Sequence, residues 1–377
     1  MQIRRLQVQN VRNLEQVSLP ALQRINVFFG ANGSGKTSLL EAVHLLLVGR
    51  PFRSTQLRPV LRESTDQCVV FGELLSGDSH HALGMQRTQA DKPLIKLNGE
   101  RLKSAAELVR LAPLQVLNAD AFQLLTGGPG ERREFMDWGL FHVEHEFYPV
   151  WQRARRALHQ RNTLIRHGKI DRPQLLLWSR EYARYGEVLD VWRRDYIAAL
   201  APLFRETLSE LNPEVTERVA VVYARGWARD ADLDALLVEG IDRDLQQGYT
   251  RVGPHRADLK IQVGGGNAAD MLSRGQLKLV VSALRVAQAR LLKQAADKDC
   301  LFLIDDLPAE LDDGHRTALC TVLDKLGTQI FVTCIDKNEV RHCWPHTTQP
   351  AMFHVEHGAI SPESPNLDQT GRQRGNE

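Results

Sequence analysis

The sequence has few cysteines, and they form no recognisable pattern. They are Cys68, Cys300, Cys320, Cys334 and Cys343. No two of them form a C-x-x-C pair, and their number is odd. Disulfide scaffolds and structural zinc sites need paired or regularly spaced cysteines. We therefore expect reduced thiols, as in the cytosol, and neither of those two kinds of site.

Long hydrophobic runs are also missing. The amino terminus, M-Q-I-R-R-L-Q-V-Q-N, carries charges where a signal peptide has an apolar core. The longest purely apolar stretches, such as Leu45–Val48, are far shorter than the roughly 20 residues that span a bilayer. We expect a soluble, cytoplasmic protein that is neither secreted nor held in a membrane.

A large excess of charge of one sign is absent as well. Of the 377 residues, 48 are lysine or arginine and 46 are aspartate or glutamate, which gives a net charge of +2. A nearly neutral chain neither demands nor excludes nucleic acid, because a basic face can be balanced elsewhere. The length suits one large domain with an insert.

One glycine-rich loop carries the clearest chemistry in the chain. The phosphate-binding pattern G-x-x-x-x-G-K-[ST] is matched by Gly30, Ala31, Asn32, Gly33, Ser34, Gly35, Lys36 and Thr37. The loop follows a β-rich run at 25–29 and precedes a helical segment at 38–48, the order that such a loop requires. In this pattern backbone N–H groups surround the phosphates, Lys36 meets the terminal phosphates, and the Thr37 hydroxyl binds Mg²⁺. The loop therefore predicts binding of a nucleoside triphosphate, with ATP as the expected nucleotide, together with Mg²⁺.

A buried strand at 300–304, C-L-F-L-I, ends in two acids. We predict that the first, Asp305, binds Mg²⁺ together with Thr37, as in the Walker B element. We predict that the second, Asp306, acts on the attacking water and is catalytic together with Lys36. The alternative is two solvated acids at the end of a strand.

The segment L-S-R-G-Q opens the helix that precedes this strand. Its hydroxyl and the exposed N–H groups of the helix start provide a second phosphate-binding surface. Because the domain already has a phosphate loop, we predict that this surface serves a second copy of the chain, so that ATP induces a homodimer. The residues predicted to act in trans are Ser273, Arg274, Gly275 and Gln276. The alternative is a simple helix cap at Ser273.

The remaining patterns predict an α/β protein with an insert. Residues 67–101 alternate as antiparallel strands with a tight turn at Asn98-Gly99. Heptad spacing at 147–164 and 175–203 predicts two long helices, either as an antiparallel arm or as the core of a helical bundle. The predicted seam positions are Phe147, Val150, Ala154, Ala157, Arg161 and Leu164 in the first helix, and Leu175, Trp178, Tyr182, Tyr185, Leu189, Trp192, Tyr196, Ala199 and Leu203 in the second. Strands and helices alternate again from about 250, which predicts a largely parallel sheet.

We therefore divide the chain into four segments. Residues 1–125 form the first part of the head and contain the β lobe. Residues 126–248 form an inserted helical lobe, and residues 249–358 complete the head. Residues 359–377, rich in Ser, Pro, Asn, Gln and Gly, are expected to be disordered.

The motifs in this order resemble the ABC-type ATPases, in which L-S-R-G-Q corresponds to the signature motif and Leu311-Asp312 to the D-loop, with Asp312 as its acid. The resemblance then narrows to the RecF family, from residue 1 to about 358. The segments that carry it are N-V-R-N-L at 10–14, G-R-P-F-R at 49–53, G-G-P-G-E-R-R-E-F-M-D-W-G at 127–139, Q-R-N at 160–162, G-P-H-R-A-D-L at 253–259, and L-S-R-G-Q-L-K followed by L-I-D-D-L.

The resemblance implies an ABC-type P-loop ATPase head with an antiparallel β lobe and an inserted, coiled-coil-like helical lobe. It also implies a bacterial recombination mediator that dimerises on ATP and binds double-stranded DNA at single-strand gaps. Such a protein works with RecO and RecR to help RecA load, and slow, DNA-stimulated ATP hydrolysis resets the dimer. The alternative function is the ATPase subunit of an ABC transporter.

Several positions depart from the ABC pattern. Arg274 replaces the commoner glycine of the signature, and Asp306 replaces the usual glutamate. Phe331-Val332-Thr333-Cys334 lacks the switch histidine, which leaves Thr333 or Cys334 in its place. The Q-loop glutamine corresponds to Gln115 or Asn118. The pentapeptide F-H-V-E-H occurs twice without a third metal ligand in view.

Basic residues are the candidates for contacts with DNA phosphates. We predict such contacts for Arg50, Arg53, Arg132, Arg133, Arg155 and Arg156. The alternative for any one of them is an ordinary solvated surface.

Overall fold

The computed structural model describes residues 1–53, 58–89, 93–166 and 171–363. Contacts divide the chain into two compact units. One, the P-loop unit, contains residues 2–105, 303–307 and 329 onward. The other, the helical unit, contains Met1, 106–302 and 308–328. Among the described residues, no helix combines the length and hydrophobicity needed to cross a membrane.

The strands occur in groups that are separated by helices along the described residues. They are β1 (Gln2–Val11), β2 (Leu14–Leu19), β3 (Ile25–Phe29), β4 (Gln67–Ser76), β5 (Ser79–Thr88), β6 (Leu94–Leu97), β7 (Glu100–Arg101), β8 (Leu114–Leu117), β9 (Val219–Ala224), β10 (Asp258–Val263), β11 (Gly266–Asn267), β12 (Leu301–Ile304), β13 (Ile330–Cys334), β14 (Ala351–Glu356) and β15 (Ala359–Pro362).

The helices range from one turn to more than ten. They are α1 (Lys36–Val48), α2 (Ala105–Leu111), α3 (Gln123–Thr126), α4 (Pro129–Val143), α5 (Phe147–Arg166), α6 (Arg172–Leu211), α7 (Pro213–Thr216), α8 (Leu233–Glu239), α9 (Ile241–Gln247), α10 (Ala268–Met271), α11 (Arg274–Ala296), α12 (Leu307–Glu310), α13 (Asp313–Leu326) and α14 (Asn338–Arg341).

Strand β3 organises the parallel part of the P-loop unit. It pairs in parallel with β13 on one side and β14 on the other, so that Val27 faces Val332 and Met352. The end of β12 lies next to β13 in the strand order. Parallel strands place their carboxyl ends at one edge of a sheet, which is where ligands bind in such folds. The predicted parallel sheet is confirmed for β3, β13 and β14.

The antiparallel lobe of the P-loop unit has the strand order β2-β1-β4-β5-β6-β7. Its last hairpin turns at Asn98 and Gly99, with φ angles of 51° and 87°. Positive φ at both central residues is the geometry of a type I′ turn, which matches the right-handed twist of the strands. The predicted β lobe and its turn are confirmed.

Helices α5 and α6 pack against each other in the helical unit. The predicted heptad positions at intervals of seven along α6 are buried: Leu175, Tyr182, Leu189, Tyr196 and Leu203. The predicted seam position Ala199 is wrong, because it is exposed. Helix α6 also packs against α4, α8, α11 and α13, and this larger interface buries other positions beyond Tyr196, such as Leu200 and Phe204. The antiparallel arm and the helical bundle, the two predicted alternatives, therefore each describe part of α6. The helix pairs with α5, and it also belongs to a bundle with α4, α8, α11 and α13.

The predicted segment boundaries differ from the structure in three respects. Residues 106–125, 249–302 and 308–328, predicted as parts of the head, belong to the helical unit. Strand β9, within the predicted helical lobe, pairs with β10, so that Val221 faces Ile261 and the boundary at 248 separates two strands of one sheet. Residues 359–362, placed in the disordered tail, form β15 and pair with β14. Their hairpin turns at His357-Gly358, a less familiar turn signal than Asn-Gly. The rest of the predicted tail, from 364, lies outside the described residues.

Arg161 is fully buried between α5 and the segments around α8 and α9. Its guanidinium donates to Asp244 at 2.8 Å, to the Thr250 hydroxyl at 2.6 Å, and to the Ser179 hydroxyl at 2.9 Å. Burial lowers the pKa of Arg161, and the hydrogen bond with Asp244 opposes that shift. Heptad spacing marked Arg161 as a seam residue but gave no sign of its partners.

We expect Arg161→Leu to lower the free energy of unfolding by about 3 kcal/mol, because removing one partner leaves a buried charge without compensation. Urea unfolding followed by tryptophan fluorescence measures the change. The matched control is Arg156→Leu on the exposed face of the same helix, which should change stability by less than about 0.5 kcal/mol. Equal stability of the two variants would contradict a structural role for the Arg161 pair.

Candidate nucleotide-binding site

The glycine loop lies between β3 and α1. The Lys36 ammonium donates to the carbonyl oxygens of Gly30 and Ala31, at 2.7 and 2.9 Å, and is therefore held over the loop. Burial lowers the pKa of Lys36, while the charges of Asp306 and Asp305 oppose that shift. A nearby anion such as a phosphate would favour the charged ammonium in the same way.

The first position of the loop requires glycine, because of its backbone conformation and because of the atoms around it. Gly30 has a φ of 152°, and a Cβ built on it would collide with the carbonyl oxygen of Val355 in β14. The turn after β14 also contacts the loop, because the Gly358 N–H donates to the Ser34 carbonyl at 2.8 Å. The β14–β15 hairpin thus supports the loop, a role that the sequence did not reveal.

Asn13, which precedes the glycine loop in the sequence, also supports it. Its side-chain amide donates to the Gly33 carbonyl at 3.1 Å and accepts from the Ser38 hydroxyl at 2.7 Å. The neighbouring Arg12 forms an ion pair with Glu41, whose side chain is buried in α1. The N-V-R-N-L segment therefore stabilises the loop. In the sequence it is recognisable only as part of the family resemblance.

The predicted Mg²⁺ ligands lie together. The Thr37 hydroxyl donates to both carboxylate oxygens of Asp305, at 2.9 and 3.1 Å. The Thr333 hydroxyl, at the end of β13, lies 2.8 Å from the same carboxylate. Thr37 and Asp305 supply the oxygen ligands that Mg²⁺ prefers.

Asp306 adopts a left-handed backbone conformation, with a φ of 53°. Its N–H donates to the Thr333 hydroxyl at 2.7 Å. Thr333 therefore fixes both acids, Asp305 through its carboxylate and Asp306 through its backbone. Backbone conformations of this kind in residues other than glycine concentrate at functional sites.

The loop fits a phosphate ligand by a further observation. The Ser34 hydroxyl is buried, yet among the described residues it has no hydrogen-bond partner. A buried hydroxyl without a partner costs free energy unless a ligand or water satisfies it. Together with the Lys36 ammonium and the Thr37–Asp305 pair, this arrangement fits a triphosphate with Mg²⁺.

The two residues in the place of the switch histidine have different roles. Thr333 is fully buried and holds the acids, so its hydroxyl is a positioning group. Burial raises the pKa of the Cys334 thiol to about 12, which keeps it protonated and unreactive.

Both Q-loop candidates use their side chains inside the helical unit. Gln115 is buried, donates to Gln288 at 3.1 Å and accepts from Arg285 at 3.0 Å. The Asn118 side chain accepts from the Ala121 N–H at 3.0 Å and caps a short helical turn. These contacts explain both amides as structural groups, and the assignment of a Q-loop residue stays a prediction.

The predicted signature begins α11. The Ser273 hydroxyl accepts from the Gln276 N–H at 3.3 Å, and the Gln276 side chain accepts from the Ser273 N–H at 3.0 Å. This capping box fixes the first turn of the helix. Ser273, Arg274 and Gly275 are nevertheless exposed, so the cap does not prevent a contact with a second molecule.

Asp312, the predicted D-loop acid, caps α13. Its carboxylate accepts from the His315 N–H at 3.0 Å and lies 2.6 Å from the His315 ring nitrogen. These hydrogen bonds lower the pKa of the Asp312 carboxyl. The side chain of Asp312 is exposed.

The predicted DNA contacts fall into two groups. The exposed ones are Arg50, Arg53, Arg155 and Arg156. The other two make internal contacts. Arg132 forms an ion pair with Asp258 at 2.6 Å, and Arg133 donates to the Ala257 carbonyl at 2.8 Å. Because its charge is already paired, Arg132 is not part of the DNA surface that we propose below.

The repeated pentapeptide adopts two different conformations. Residues 141–145 end α4, whereas 353–357 lie mostly in β14. In the first copy, burial lowers the pKa of His142 to about 3, and its ring packs against Trp138. His142 therefore belongs to the core of the helical unit.

Comparison with known proteins supports the same picture. A family model for the RecF/RecN/SMC N terminal domain matches residues 2–361. The protein "DNA replication and repair protein RecF" of Pseudomonas putida (strain W619) is 49% identical over 362 residues, covering 96% of this chain and 98% of the relative. The protein of the same name from Pseudomonas syringae pv. syringae (strain B728a) is 47% identical over the same coverage.

Solved structures agree on the fold. A structure of the recombination mediator protein RecF with ATP has a TM-score of 0.83 at 23% identity and covers 96% of this chain and 97% of its own. An Smc head bound to a domain of ScpA has a TM-score of 0.58 at 14% identity and covers 98% and 99%. The predicted fold class, an ABC-type head with a β lobe and a helical insert, is confirmed.

We expect Thr333→Val to weaken Mg²⁺-dependent nucleotide binding about tenfold to 100-fold, the usual effect of removing a group that orients a metal ligand. Titration with a fluorescent ATP analogue, in Mg²⁺ and in EDTA, measures the effect, which should be confined to the Mg²⁺ series. Thr333→Ser, which keeps the hydroxyl, should bind as the parent does. Unchanged affinity in Thr333→Val would show that this hydroxyl does not position Asp305.

Proposed function

Because this chain belongs to the RecF family, we propose that it acts in DNA replication and repair as an ATP-dependent DNA-binding protein. The observation that carries the proposal is the hydroxyl–carboxylate cluster of Thr37, Asp305 and Thr333 beside the glycine loop. This cluster supports Mg²⁺-dependent ATP binding, and the 49% identity over 96% of the chain supports the role in repair. A transporter ATPase subunit is not favoured by these relatives.

Each residue of the site has a distinct role in the proposed hydrolysis. The loop N–H groups and Lys36 bind the phosphates, and Thr37 and Asp305 hold Mg²⁺, which offsets phosphate charge when bound. Asp306 orients a water molecule towards the terminal phosphorus. Water adds there as the bond to ADP breaks, and inorganic phosphate leaves. The shorter side chain of aspartate, compared with glutamate, aligns the water less well, so we expect slow turnover.

The second half of the site is proposed to come from another copy of the chain. Ser273, Arg274 and Gly275 are exposed at the start of α11, and the capping box fixes the direction of the helix N–H groups. A Cβ on Gly275 would meet no atom of its own chain, so internal packing does not require glycine there. A glycine at an exposed helix start allows close approach of a phosphate from outside.

ATP binding is proposed to close the dimer on DNA. The exposed Arg50, Arg53 and Arg156 are the proposed phosphate contacts, since surface arginines with no ion pair among the described residues can replace the counterions of DNA. The proposed substrate is double-stranded DNA next to a single-strand gap. The proposed partners are RecR, together with RecO, and indirectly RecA, all in the cytoplasm. DNA bound across both copies would stimulate hydrolysis, which then releases the dimer.

We expect ATP to convert the parent protein from monomer to dimer, and Ser273→Arg to abolish this shift. The arginine would occupy the space of the incoming phosphate and would also remove the cap. Sedimentation velocity with and without ATP measures the change. Ser273→Thr is the control, because it keeps a hydroxyl for the cap and should dimerise like the parent.

Gapped DNA added to the same samples tests the second half of the proposal. The parent should sediment with the DNA only in the presence of ATP, and Ser273→Arg should not do so. Dimerisation of Ser273→Arg at the parental ATP concentration would refute the role of the signature in trans. If the parent dimerises with ATP but does not sediment with the DNA, DNA is refuted as the substrate.

A further inference from the structure

A cleft of about 270 Å³ lies in the helical unit and is not used by the nucleotide site. It is lined by α4, α5, α6 and the segment 254–255. Two segments of the family resemblance meet here, G-G-P-G-E-R-R-E-F-M-D-W-G and G-P-H-R-A-D-L, and the nucleotide site described above includes residues of neither. The volume is slightly below the roughly 300–1,000 Å³ that encloses a whole small ligand, so it suits one or two side chains.

Apolar side chains form much of the cleft. They are Ala154, Leu158, Leu189 and Pro254, with the ring of Trp151 beside them. The Trp151 N–H is already used, since it donates to Asp137 at 3.1 Å. This part of the cleft therefore favours an apolar group over one that needs hydrogen bonds.

The polar groups deeper in the cleft are paired with each other. Arg193 binds Asp137 through contacts of 2.7 to 2.9 Å and donates to the Pro254 carbonyl at 2.8 Å. The Tyr182 hydroxyl lies 2.6 Å from a ring nitrogen of His255. Burial lowers the pKa of His255 to about 4, so the ring is neutral near pH 7. These groups shape the cleft but offer no net charge to a ligand.

Two arginines that line the cleft, Arg133 and Arg155, form no ion pair within the part of the chain that the structure describes. Arg133 donates to the Ala257 carbonyl, and no carboxylate of the described residues lies at ion-pair distance from it. Burial, followed by the charge of Arg193, lowers the pKa of Arg133, and the charges of Asp258 and Asp137 oppose that shift. Arg155 is exposed and stacks over the Trp151 ring at 5.2 Å, and it too has no ion pair among the described residues. Glu134 also lines the cleft.

We propose that this cleft binds a peptide segment of a partner protein in which an apolar side chain lies next to a carboxylate. The apolar side chain contacts Leu158 and Leu189, and the carboxylate pairs with Arg133 and Arg155. Guanidinium groups suit this role, because they bind carboxylates in a planar, two-point geometry. The stacking of Arg155 on Trp151 holds one of the two groups in place before binding.

The lining favours a peptide over a nucleic acid. A nucleobase in the cleft would place its polar edges against Leu158, Leu189 and Pro254 and lose hydrogen bonds to water without replacement. A leucine or phenylalanine side chain loses none. The arginines could pair with a carboxylate or with a phosphate, so the apolar lining is what favours the peptide.

Selection of a random peptide library, displayed with free carboxyl termini, on the full-length protein tests the proposal. We expect enrichment of peptides with Asp, Glu or the terminal carboxylate beside Leu, Ile, Met or Phe. Enriched peptides are then synthesised with a fluorescein label, and their affinities are measured by anisotropy. Arg155→Glu should weaken binding at least about tenfold, because an attractive charge becomes repulsive at an exposed site that the fold does not need.

The matched control is Arg180→Glu, an exposed arginine on α6 that does not line the cleft, and it should leave the affinity within about twofold. Three results would overturn the proposal. One is the absence of acidic–apolar enrichment, and another is equal affinity in the parent and Arg155→Glu. The third is displacement of the peptides by a 5′-phosphorylated thymidine octamer at lower concentration than by unlabelled peptide, which would assign the cleft to nucleic acid.

Discussion

The carboxylate of Asp305 holds the nucleotide site together. It accepts hydrogen bonds from Thr37, in the first turn of α1, and from Thr333, near the end of β13. Three segments far apart in the chain are thereby fixed at one edge of the parallel sheet. The same Thr333 hydroxyl accepts from the Asp306 N–H, so one buried hydroxyl positions the proposed metal ligand and the proposed catalytic acid together. A change at this point alters both functions.

The site described here is one half of the proposed working unit. The loop and its acids are proposed to bind nucleotide within one chain, whereas the exposed Ser273, Arg274 and Gly275 are proposed to meet the phosphates held by another copy. In the proposed ATP-dependent dimer, the glycine loop of one copy and the start of α11 of the other copy contact the same nucleotide. The cleft lined by α4, α5 and α6 is proposed to hold a peptide of a partner protein, a role that is not part of the nucleotide cycle.

Features fixed by short segments could be predicted from the sequence. The loop 30–37, strand β3, the acids after β12 and the Asn98-Gly99 turn all depend on local spacing and local backbone preference. Features fixed by distant contacts could not. Support of the loop by Gly358, the task of Thr333 and the burial of Arg161 arise only when remote segments meet. The prediction of Ala199 as a seam position is wrong for the same reason, because α6 packs against different helices along its length.

Mixing two inactive variants tests the shared site most directly. Lys36→Met lacks the phosphate-binding ammonium but keeps the signature, and Ser273→Arg has the opposite defect. A mixed dimer contains one intact site, so equal amounts of the two should restore ATP hydrolysis to about a quarter of the parental rate if copies pair at random. Each variant alone should stay inactive. A mixture no more active than the sum of its parts would contradict a site completed by a second copy.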